Sequence, residues 1–199
     1  INASKTLSEK LFQVEFQTSR NQDSMISLIY HRKLDESWEN AARNLNKKLQ
    51  ATIIGRSRKQ KLSYGNDYVI ETYKSFKSKY SLRLYEQCFS QTNPEICEKM
   101  LSWVEKNLIF SDDDVVELHC GLGTFTMLLS KIFRKVLATE NSRPSFAGLK
   151  ENLRLNKCFN VNVARLSGHE TLQAISNERS FNRLGGIDIS EFKFNTIFL

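Results

Sequence analysis

The chain has 199 residues, of which 40% are hydrophobic and 26% charged, and its formal net charge is +7 at pH 7. This composition excludes a disordered chain and allows one to two domains with a substantial buried core. No apolar run approaches the roughly 18 residues of a membrane span, and no secretory signal pattern is visible, so we expect a cytoplasmic protein with no membrane partner.

Cysteine usage indicates the same compartment. Cys88, Cys97, Cys120 and Cys158 are scattered, with neither metal-ligand spacing nor a disulfide framework. We therefore expect free thiols in a reducing environment and no bound metal. The protein is also expected to be a monomer.

The positive charge is confined to the first part of the chain. Residues 1–85 hold 16 Lys+Arg and 8 Asp+Glu, a balance of +8, whereas residues 86–199 hold 13 and 14, a balance of −1. This asymmetry predicts a nucleic-acid partner for the first region, while the second carries the chemistry. The alternative is an ordinary solvated lysine-rich surface. We predict a basic α+β RNA-binding region over 1–85 and a cofactor domain over 86–199.

The first region has the patterns of a small α+β module. Alternating apolar and polar residues predict a strand over 12–16, which pairs with a second strand over 25–30. Apolar residues at helical spacing, with acids at the start and lysines near the end, predict a helix over 35–49. A third strand is expected over 51–54, and a hairpin with its tip near 65–67.

A basic stretch follows the third strand and is the strongest candidate for phosphate contacts in the chain. Farther on, basic residues alternate with aromatic ones; we expect most of these aromatics in the core, stacking on unpaired bases being the alternative. The candidate RNA-binding residues are Phe12, Arg56, Arg58, Lys59 and Lys61.

The second region opens with a helix. Asn93 and Pro94 are typical of an N-cap and a first helical residue, and the apolar spacing predicts a buried face that includes Ile96, Met100 and Val104. Strand and helix patterns then alternate. Strands are expected from residue 115 and over 135–140, 160–164 and 195–199, with helices after the first two of them.

A Gly-x-Gly turn joins the first of these strands to its helix. This arrangement indicates a nucleotide-binding α/β unit, in which ligands lie at the carboxyl ends of parallel strands. Gly121 and Gly123 permit backbone conformations that a Cβ would hinder and let a ligand approach the main chain. Dinucleotide sites have a third glycine where this chain has Thr126. S-adenosylmethionine is therefore the favoured cofactor, and NAD is the alternative.

An acid at the end of the second strand fits such a cofactor. Glu140 lies 17 residues after Gly123, near the ~20-residue spacing at which an acid meets ribose hydroxyls. Its carboxylate can accept hydrogen bonds from the 2′- and 3′-hydroxyls. Glu117, inside the first strand, is a further methyltransferase-like feature.

The α/β pattern is incomplete. A doubly wound sheet needs more strands than these four. The chain begins at Ile1 rather than at a methionine, and it ends in an apolar strand whose edge would be left unprotected. We expect a segment of a longer protein, with an incomplete Rossmann-like methyltransferase sheet preceded by the small α+β region.

Several motifs resemble those of the RNA uracil-5 methyltransferases. Residues 89–93, Phe-Ser-Gln-Thr-Asn, are similar to the family's Phe-x-Gln-x-Asn, and residues 117–123, Glu-Leu-His-Cys-Gly-Leu-Gly, to its Glu-Leu-Tyr-Cys-Gly-x-Gly. Residues 28–35, 136–140 and 181–188 resemble the bacterial tRNA (uracil-5-)-methyltransferase branch. The resemblance implies S-adenosylmethionine-dependent methyl transfer to C5 of the T-loop uridine of tRNA (position 54), with tmRNA as a further substrate.

The resemblance also implies which residues bind the cofactor. His119 stands where the family has Tyr, Thr124 where it has Asn, and Thr92 where it has Pro, which indicates a divergent member. His119 and Thr124 are expected at the methionine end of the cofactor, with altered hydrogen bonding. The predicted cofactor-binding residues are Gln91, His119, Gly121, Gly123, Thr124 and Glu140.

The catalytic residues of the resembled family have no counterpart here. In the family the fourth strand continues into Asp-Pro-Pro-Arg, and a catalytic cysteine and a general-base glutamate follow. The thiolate adds to uracil C6, C5 attacks the methyl sulfonium, and the base removes the C5 proton before elimination. None of the four cysteines has the matching context, and Cys120 is expected to pack or to line the cofactor site. We therefore assign no catalytic residue in this chain.

Three further functions stay open, one of which is an NAD-dependent oxidoreductase, disfavoured by Thr126 and the motifs around it. A ribosomal RNA branch of the same family often carries a cysteine cluster for an iron–sulfur centre, and no such cluster occurs in these 199 residues. A non-catalytic RNA-binding protein that keeps the fold is the third alternative.

Overall fold

The computed structural model describes residues 4–199. They divide into two compact units, the first ending at Glu71 and the second running from Thr72 to Leu199. This boundary precedes the predicted functional division at residue 85, because the strand just before residue 85 hydrogen-bonds to a helix of the second unit. The functional division itself stays a prediction.

The first unit is a four-stranded sheet with one long helix. Its elements are α1 (Lys5–Ser8), β1 (Leu11–Thr18), β2 (Ser24–Tyr30), α2 (Glu36–Leu49), β3 (Thr52–Ser57) and β4 (Gln60–Tyr64). The strand order is β1-β2-β3-β4, with β2 and β3 parallel and the other pairs antiparallel. A parallel pair needs a crossover, and α2 supplies it. The strands predicted over 12–16, 25–30 and 51–54 and the helix over 35–49 are confirmed.

Trp38 on α2 forms the centre of this unit's core. Asp35 caps the helix by accepting the Trp38 N–H at 2.9 Å, and the indole is fully buried. A Cβ on Gly55 would lie 2.2 Å from the Trp38 ring, so β3 must carry glycine where the indole crosses it. The buried cluster consists of Leu7, Ile26, Leu28, Tyr30, Leu34, Trp38, Ala42, Ala51 and Ile53.

The hairpin predicted with its tip near residues 65–67 is wrong. That turn joins β4 to β5 (Tyr68–Lys74), and these strands belong to different sheets. The hairpins lie on either side of it. One turns at Arg58 and Lys59 between β3 and β4, and the other joins β5 to β6 (Lys79–Tyr85). The glycine and asparagine of the 65–67 turn therefore end one sheet rather than close a hairpin.

The second unit is an α/β unit built on a parallel sheet. Its further elements are α3 (Pro94–Asn107), β7 (Ser111–Glu117), α4 (Thr126–Ile132), β8 (Phe133–Thr139), α5 (Arg143–Leu155), β9 (Val161–Ala164), α6 (Gly168–Ile175), two short 3-10 turns (Asn182–Leu184 and Ile189–Glu191) and β10 (Phe194–Phe198). The order is β10-β7-β8-β9, and every pair is parallel. The strand order therefore reverses between β7 and β10, which is where doubly wound sheets bind ligands.

The four predicted strands and the helices between them are confirmed in this unit. Asn93 caps α3, accepting the Ile96 N–H at 3.0 Å, and Pro94 is the first helical residue. The predicted buried face of α3 is only partly correct. Val104 is buried, but Ile96 is 48% and Met100 40% exposed. The surface of α3 that contacts its neighbours is therefore narrower than the apolar spacing implies.

Asp114 anchors the amino-terminal end of the parallel sheet. Its carboxylate lies on β7 and is fully buried, and it accepts Nε of Arg134 at 3.0 Å. It also accepts the backbone N–H groups of Lys135 at 3.0 Å and Lys193 at 2.7 Å. The Asp114 side chain therefore links β7, the start of β8 and the chain just before β10. The opposite end of the sheet is where a ligand would bind.

Candidate cofactor site

The carboxyl ends of the four parallel strands form one continuous edge. The N–H of Leu118 donates to Phe198 O at 2.9 Å, that of Cys120 to Thr139 O at 3.1 Å, and that of Glu140 to Ala164 O at 3.2 Å. The glycine turn rises from the middle of this edge. It closes on itself through the Gly123 N–H, which donates to Cys120 O at 2.9 Å.

The two glycines of the turn are required for different reasons. Gly121 has φ +57 and Gly123 φ +92, values that L residues with a side chain rarely adopt. A Cβ on Gly123 would lie 2.6 Å from Leu149, so this glycine also permits close packing against α5. A Cβ on Gly121 would meet nothing within 4 Å. The backbone of Gly121 therefore faces open space in which a ligand can approach it.

Glu140 lies beside Gly121, where β8 ends. Its Oε2 accepts the Gly121 N–H at 2.9 Å, and its Oε1 accepts the Ser142 N–H at 2.7 Å. The carboxylate thus joins the glycine turn to the N-cap of α5 while remaining partly exposed. Each carboxylate oxygen has a second lone pair, so the group can also accept hydroxyl donors. The structure brings Glu140 and Gly121 together, and ribose binding by Glu140 stays a prediction.

A second carboxyl group lies beneath the turn. Glu117 is buried and accepts the Thr126 hydroxyl at 2.6 Å. Burial raises the pKa of Glu117 to about 8, an effect that the Thr126 hydrogen bond only partly opposes. The residue that replaces the third glycine of dinucleotide sites thus has a defined role, which is to bond this acid. The glycine turn therefore lies above the Glu117 carboxyl group, which is bonded to Thr126 and protonated near neutral pH.

Cys120 has no features of a nucleophile. It is buried inside the turn, and burial raises the pKa of its thiol well above the usual value, with the neighbouring carboxylates Glu117 and Glu140 adding to the effect. A nucleophilic cysteine needs an accessible thiolate in electropositive surroundings. The expectation that Cys120 packs or lines the site is consistent with this environment.

His119 projects from the end of β7 in a left-handed conformation, with φ +55, and is exposed. Its Nε2 would lie 3.0 Å from a Cβ on Gly168, the first residue of α6. The imidazole therefore lies beside the start of α6. Gly168 was not predicted as a site residue. The capping box of Ser167 and Glu170 is the sequence signal that places a helix start here.

The remaining predicted cofactor residues are less clearly placed. Thr124 is part of the turn and half-buried, and its carbonyl accepts the Tyr80 hydroxyl at 2.7 Å. Gln91 is half-buried in the loop between β6 and α3, and within residues 4–199 its side chain makes no hydrogen bond to the turn. Both stay predictions as cofactor contacts.

The predicted RNA-binding aromatic residue lies at the start of the first sheet. The β1–β2 ladder is irregular between Leu11 and Gln13, so Phe12 occupies a bulge, a device that redirects a side chain. Its ring is 63% exposed and meets His31 edge-on, with 4.5 Å between ring centroids. An exposed aromatic pair of this kind is suited to stacking on an unpaired base.

The basic candidate residues differ in their exposure and in their bonding. Arg58 and Lys59 are exposed in the β3–β4 turn and line a cleft of about 480 Å³ that His31 also lines. Arg56 lies within β3 and is half-buried, because that strand runs to Ser57 rather than ending near residue 54. Lys61 is bonded to Asp67 at 3.0 Å. Lys61 is thus paired with a carboxylate, whereas the Arg58–Lys59 turn is exposed, and phosphate binding by these residues stays a prediction.

Two further observations concern ligands and membranes. Among residues 4–199, no group of three or more His, Cys, Asp and Glu side chains is arranged to hold a metal ion. No helix in that same range combines the length and the apolar character needed to cross a bilayer.

Comparison with known proteins identifies relatives along the whole chain. The family model of the tRNA (uracil-5-)-methyltransferases matches residues 1–199. The chain is 43% identical over its full length to a tRNA/tmRNA (uracil-C(5))-methyltransferase of Cellvibrio japonicus, covering 54% of that protein. A protein of the same name from Ectopseudomonas mendocina is 45% identical over 99% of the chain, with 54% of the relative covered. The chain thus spans about half the length of the curated relatives it matches.

A solved structure supports the fold assignment. The tRNA (uracil-54, C5)-methyltransferase of Pyrococcus abyssi, determined in complex with S-adenosyl-L-homocysteine, aligns with a TM-score of 0.57 at 14% identity. The alignment covers 76% of this chain and 38% of that protein. At this identity the likeness concerns the fold, and it agrees with the predicted Rossmann-like sheet preceded by a smaller α+β region.

Proposed function

The chain belongs to the tRNA (uracil-5-)-methyltransferase family, and we propose that the protein containing it transfers a methyl group from S-adenosylmethionine to C5 of a uridine in tRNA. The observation that carries the proposal is the Gly121–Glu140 pair at the carboxyl ends of β7 and β8, joined by a 2.9 Å hydrogen bond. Relatives at 43–45% identity are named for this activity.

The residues around the glycine turn fit a nucleoside cofactor. The open space above Gly121 admits a ligand to the main chain, and the partly exposed Glu140 carboxylate can accept ribose hydroxyls. Thr126 bonds Glu117 instead of providing the third glycine of a pyrophosphate site, which favours S-adenosylmethionine over NAD. His119 and Thr124 are proposed to contact the methionine end. The bound cofactor would supply the methyl group.

The uridine is proposed to be activated by residues outside these 199. C5 methylation needs a thiolate that adds to C6 and a base that removes the C5 proton. Cys120 is buried with a raised thiol pKa, and Cys97 is also buried. Cys88 and Cys158 are half-buried and lie outside the glycine turn. The share of this chain in the reaction is therefore to bind the cofactor and to position RNA.

RNA is proposed to bind the first unit through Phe12, His31 and the Arg58–Lys59 turn. These groups combine an exposed aromatic pair with two exposed cations beside one cleft. Such a surface provides stacking on unpaired bases together with phosphate neutralisation. The family match favours tRNA, and tmRNA is a further proposed substrate.

The activity is tested by incubating the intact protein with unmodified tRNA and S-adenosylmethionine that carries a labelled methyl group. After nuclease digestion, mass spectrometry should find the label in 5-methyluridine, and a transcript with cytidine at position 54 should acquire none. Salt-dependent tRNA binding without any methyl transfer would contradict the proposal and support a non-catalytic RNA-binding protein. Label in ribosomal RNA alone would support the ribosomal branch.

The RNA surface is tested separately with Arg58→Ala and Lys59→Ala. Each should weaken tRNA binding and reduce the slope of log K against log salt by about 1, the value expected for one phosphate contact. Lys48→Ala is the matched control, because Lys48 is an exposed lysine of the same unit but lies on α2. An unchanged slope in both turn variants would remove the turn from the RNA surface.

A further inference from the structure

Two buried side chains hold the carbonyl groups of the glycine turn. The Tyr80 hydroxyl donates to Thr124 O at 2.7 Å, and the Asn152 amide donates to Leu122 O at 3.0 Å. Tyr80 lies on β6 and Asn152 on α5, so neither belongs to the strand–turn–helix segment that contains the turn. Gly123, between the two bonded carbonyls, is thereby fixed from both sides.

Asn152 also connects α5 to β6. Its Oδ1 accepts the Arg83 N–H at 2.8 Å, and its Nδ2 donates to Arg83 O at 3.2 Å. One helical turn later, Asn156 makes the equivalent pair with Ser81, accepting its N–H at 3.2 Å and donating to its carbonyl at 2.8 Å. Both asparagines therefore attach β6 to α5, but only Asn152 also bonds the glycine turn.

The surroundings of these bonds make them strong constraints. Asn152 is fully buried and Tyr80 nearly so. Burial raises the pKa of Tyr80 above its usual value, so the hydroxyl stays protonated and remains a donor. A buried carbonyl that loses its donor costs the desolvation of that group, so the turn has little freedom to adopt another shape.

We propose that Tyr80 and Asn152 are positioning residues of the cofactor site, holding the glycine turn in its cofactor-binding shape before the cofactor arrives. The inference rests on the proposed function and adds two residues that the spacing of the motifs does not reveal. It also assigns a role to the second half of the β5–β6 hairpin, whose strand β6 is a support of the cofactor unit. A turn fixed in advance costs less ordering on binding, which raises affinity.

The test is calorimetric titration of S-adenosylhomocysteine into the intact protein and three variants, at a temperature where all are folded. Tyr80→Phe and Asn152→Ala should each raise the Kd about threefold to tenfold, the factor that one ordinary hydrogen bond is worth. Asn156→Ala is the matched control. It removes the equivalent bonds to β6, at Ser81, and a bond to the Asn152 carbonyl, but none to the turn. Its Kd should therefore stay within twofold of wild type, as expected for a site away from the ligand.

Amide hydrogen exchange provides a second readout that general destabilisation would not reproduce. Exchange at residues 121–124 should accelerate in Tyr80→Phe and Asn152→Ala, while exchange in β8 stays as in wild type. Tyr80→Phe retains the ring and its packing, so it keeps the test valid if Asn152→Ala does not fold.

The outcomes distinguish failure of the proposed function from failure of the positioning role. Failure of the wild type to bind S-adenosylhomocysteine would overturn the proposed function itself. Wild-type binding with an unchanged Kd in Tyr80→Phe and Asn152→Ala would overturn only the positioning role. An equal loss in Asn156→Ala would also overturn it, because the effect would then come from loosening of β6 rather than from the turn.

Discussion

Replacement of Glu140 is the perturbation that most sharply tests the ribose assignment. The carboxylate already accepts two backbone N–H groups, from Gly121 at 2.9 Å and from Ser142 at 2.7 Å. Loss of the acid therefore has two effects, because it removes an acceptor for ribose hydroxyls and also frees the glycine turn. A simple alanine variant would not distinguish these effects.

The magnitude follows from the kind of bond that is lost. Hydrogen bonds to a charged group contribute about 1.5–3 kcal/mol, so Glu140→Ala should raise the Kd for S-adenosylhomocysteine by roughly 10- to 150-fold. Glu140→Gln keeps one carbonyl oxygen for a backbone N–H and has a similar shape. We expect it to give a smaller loss than Glu140→Ala.

The assay that separates the two effects is a protein–ligand cycle by calorimetry. S-adenosylhomocysteine and its 2′-deoxy analogue are each titrated into wild type and into Glu140→Gln. If the carboxylate binds the ribose, the wild type should prefer the natural ligand clearly and the variant should prefer it much less. Freeing of the glycine turn penalises both ligands alike. An equal preference in wild type and variant would therefore refute the ribose assignment.

Three further predictions concern the sheet and the turn. Asp114→Ala should lower the free energy of unfolding in urea by about 3 kcal/mol, because it leaves Arg134 and two backbone N–H groups without their acceptor; a loss below about 1 kcal/mol would contradict this role. Glu117 has its pKa raised from 4.5 to about 8, so the unfolded chain releases its proton first as the pH rises. Between those values wild type should lose stability relative to Glu117→Gln, by at most about 1.4 kcal/mol per pH unit, and a parallel pH dependence of the two melting curves would disprove the shift. Cys120 should react with iodoacetamide far more slowly in the native protein than in urea, as peptide mass spectrometry would show, and rapid native alkylation would contradict its buried, protonated state.

Much of the fold follows from local patterns in the sequence. The alternating run at 12–16, the caps at Asp35 and Asn93 and the strand–glycine turn–helix segment are all signals that involve neighbouring residues, and a strand, two helices and the turn form at these places. Strand pairing is a different matter, because it depends on partners far apart in the chain. The 65–67 turn shows this limit, since its Gly65-Asn66 signal is correct for a turn but does not reveal that the flanking strands join different sheets.

The cofactor site likewise contains residues that a local pattern indicates and residues that no local pattern indicates. Gly121, Gly123 and Glu140 lie on one segment at a known spacing, so the sequence alone indicates them. Tyr80 and Asn152 approach the turn from elements 44 and 30 residues away from the carbonyls they bond, and no local pattern marks such a contact. Asn152 and Asn156 lie one helical turn apart at the end of α5, but polar residues at this spacing are equally typical of a solvent-facing side, so the sequence does not reveal their contacts with β6.

Tertiary packing also explains the exposed positions on α3. Apolar spacing predicts which face of a helix can be buried, and it does not tell how wide the contact with the next element is. Within the described residues, Val104 and Leu101 fill that contact, and Ile96 and Met100 flank it. The sequence therefore indicates the correct face, and tertiary packing determines its width.

A crystal structure of the intact protein with S-adenosylhomocysteine would show whether the Gly121–Glu140 pair holds the ribose of an S-adenosyl cofactor. We expect the ligand at the carboxyl ends of β7 and β8, with its ribose hydroxyls at hydrogen-bond distance from the Glu140 carboxylate and its chain along the backbone of the glycine turn. A ligand bound away from this edge, or a ribose with no contact to Glu140, would contradict this assignment.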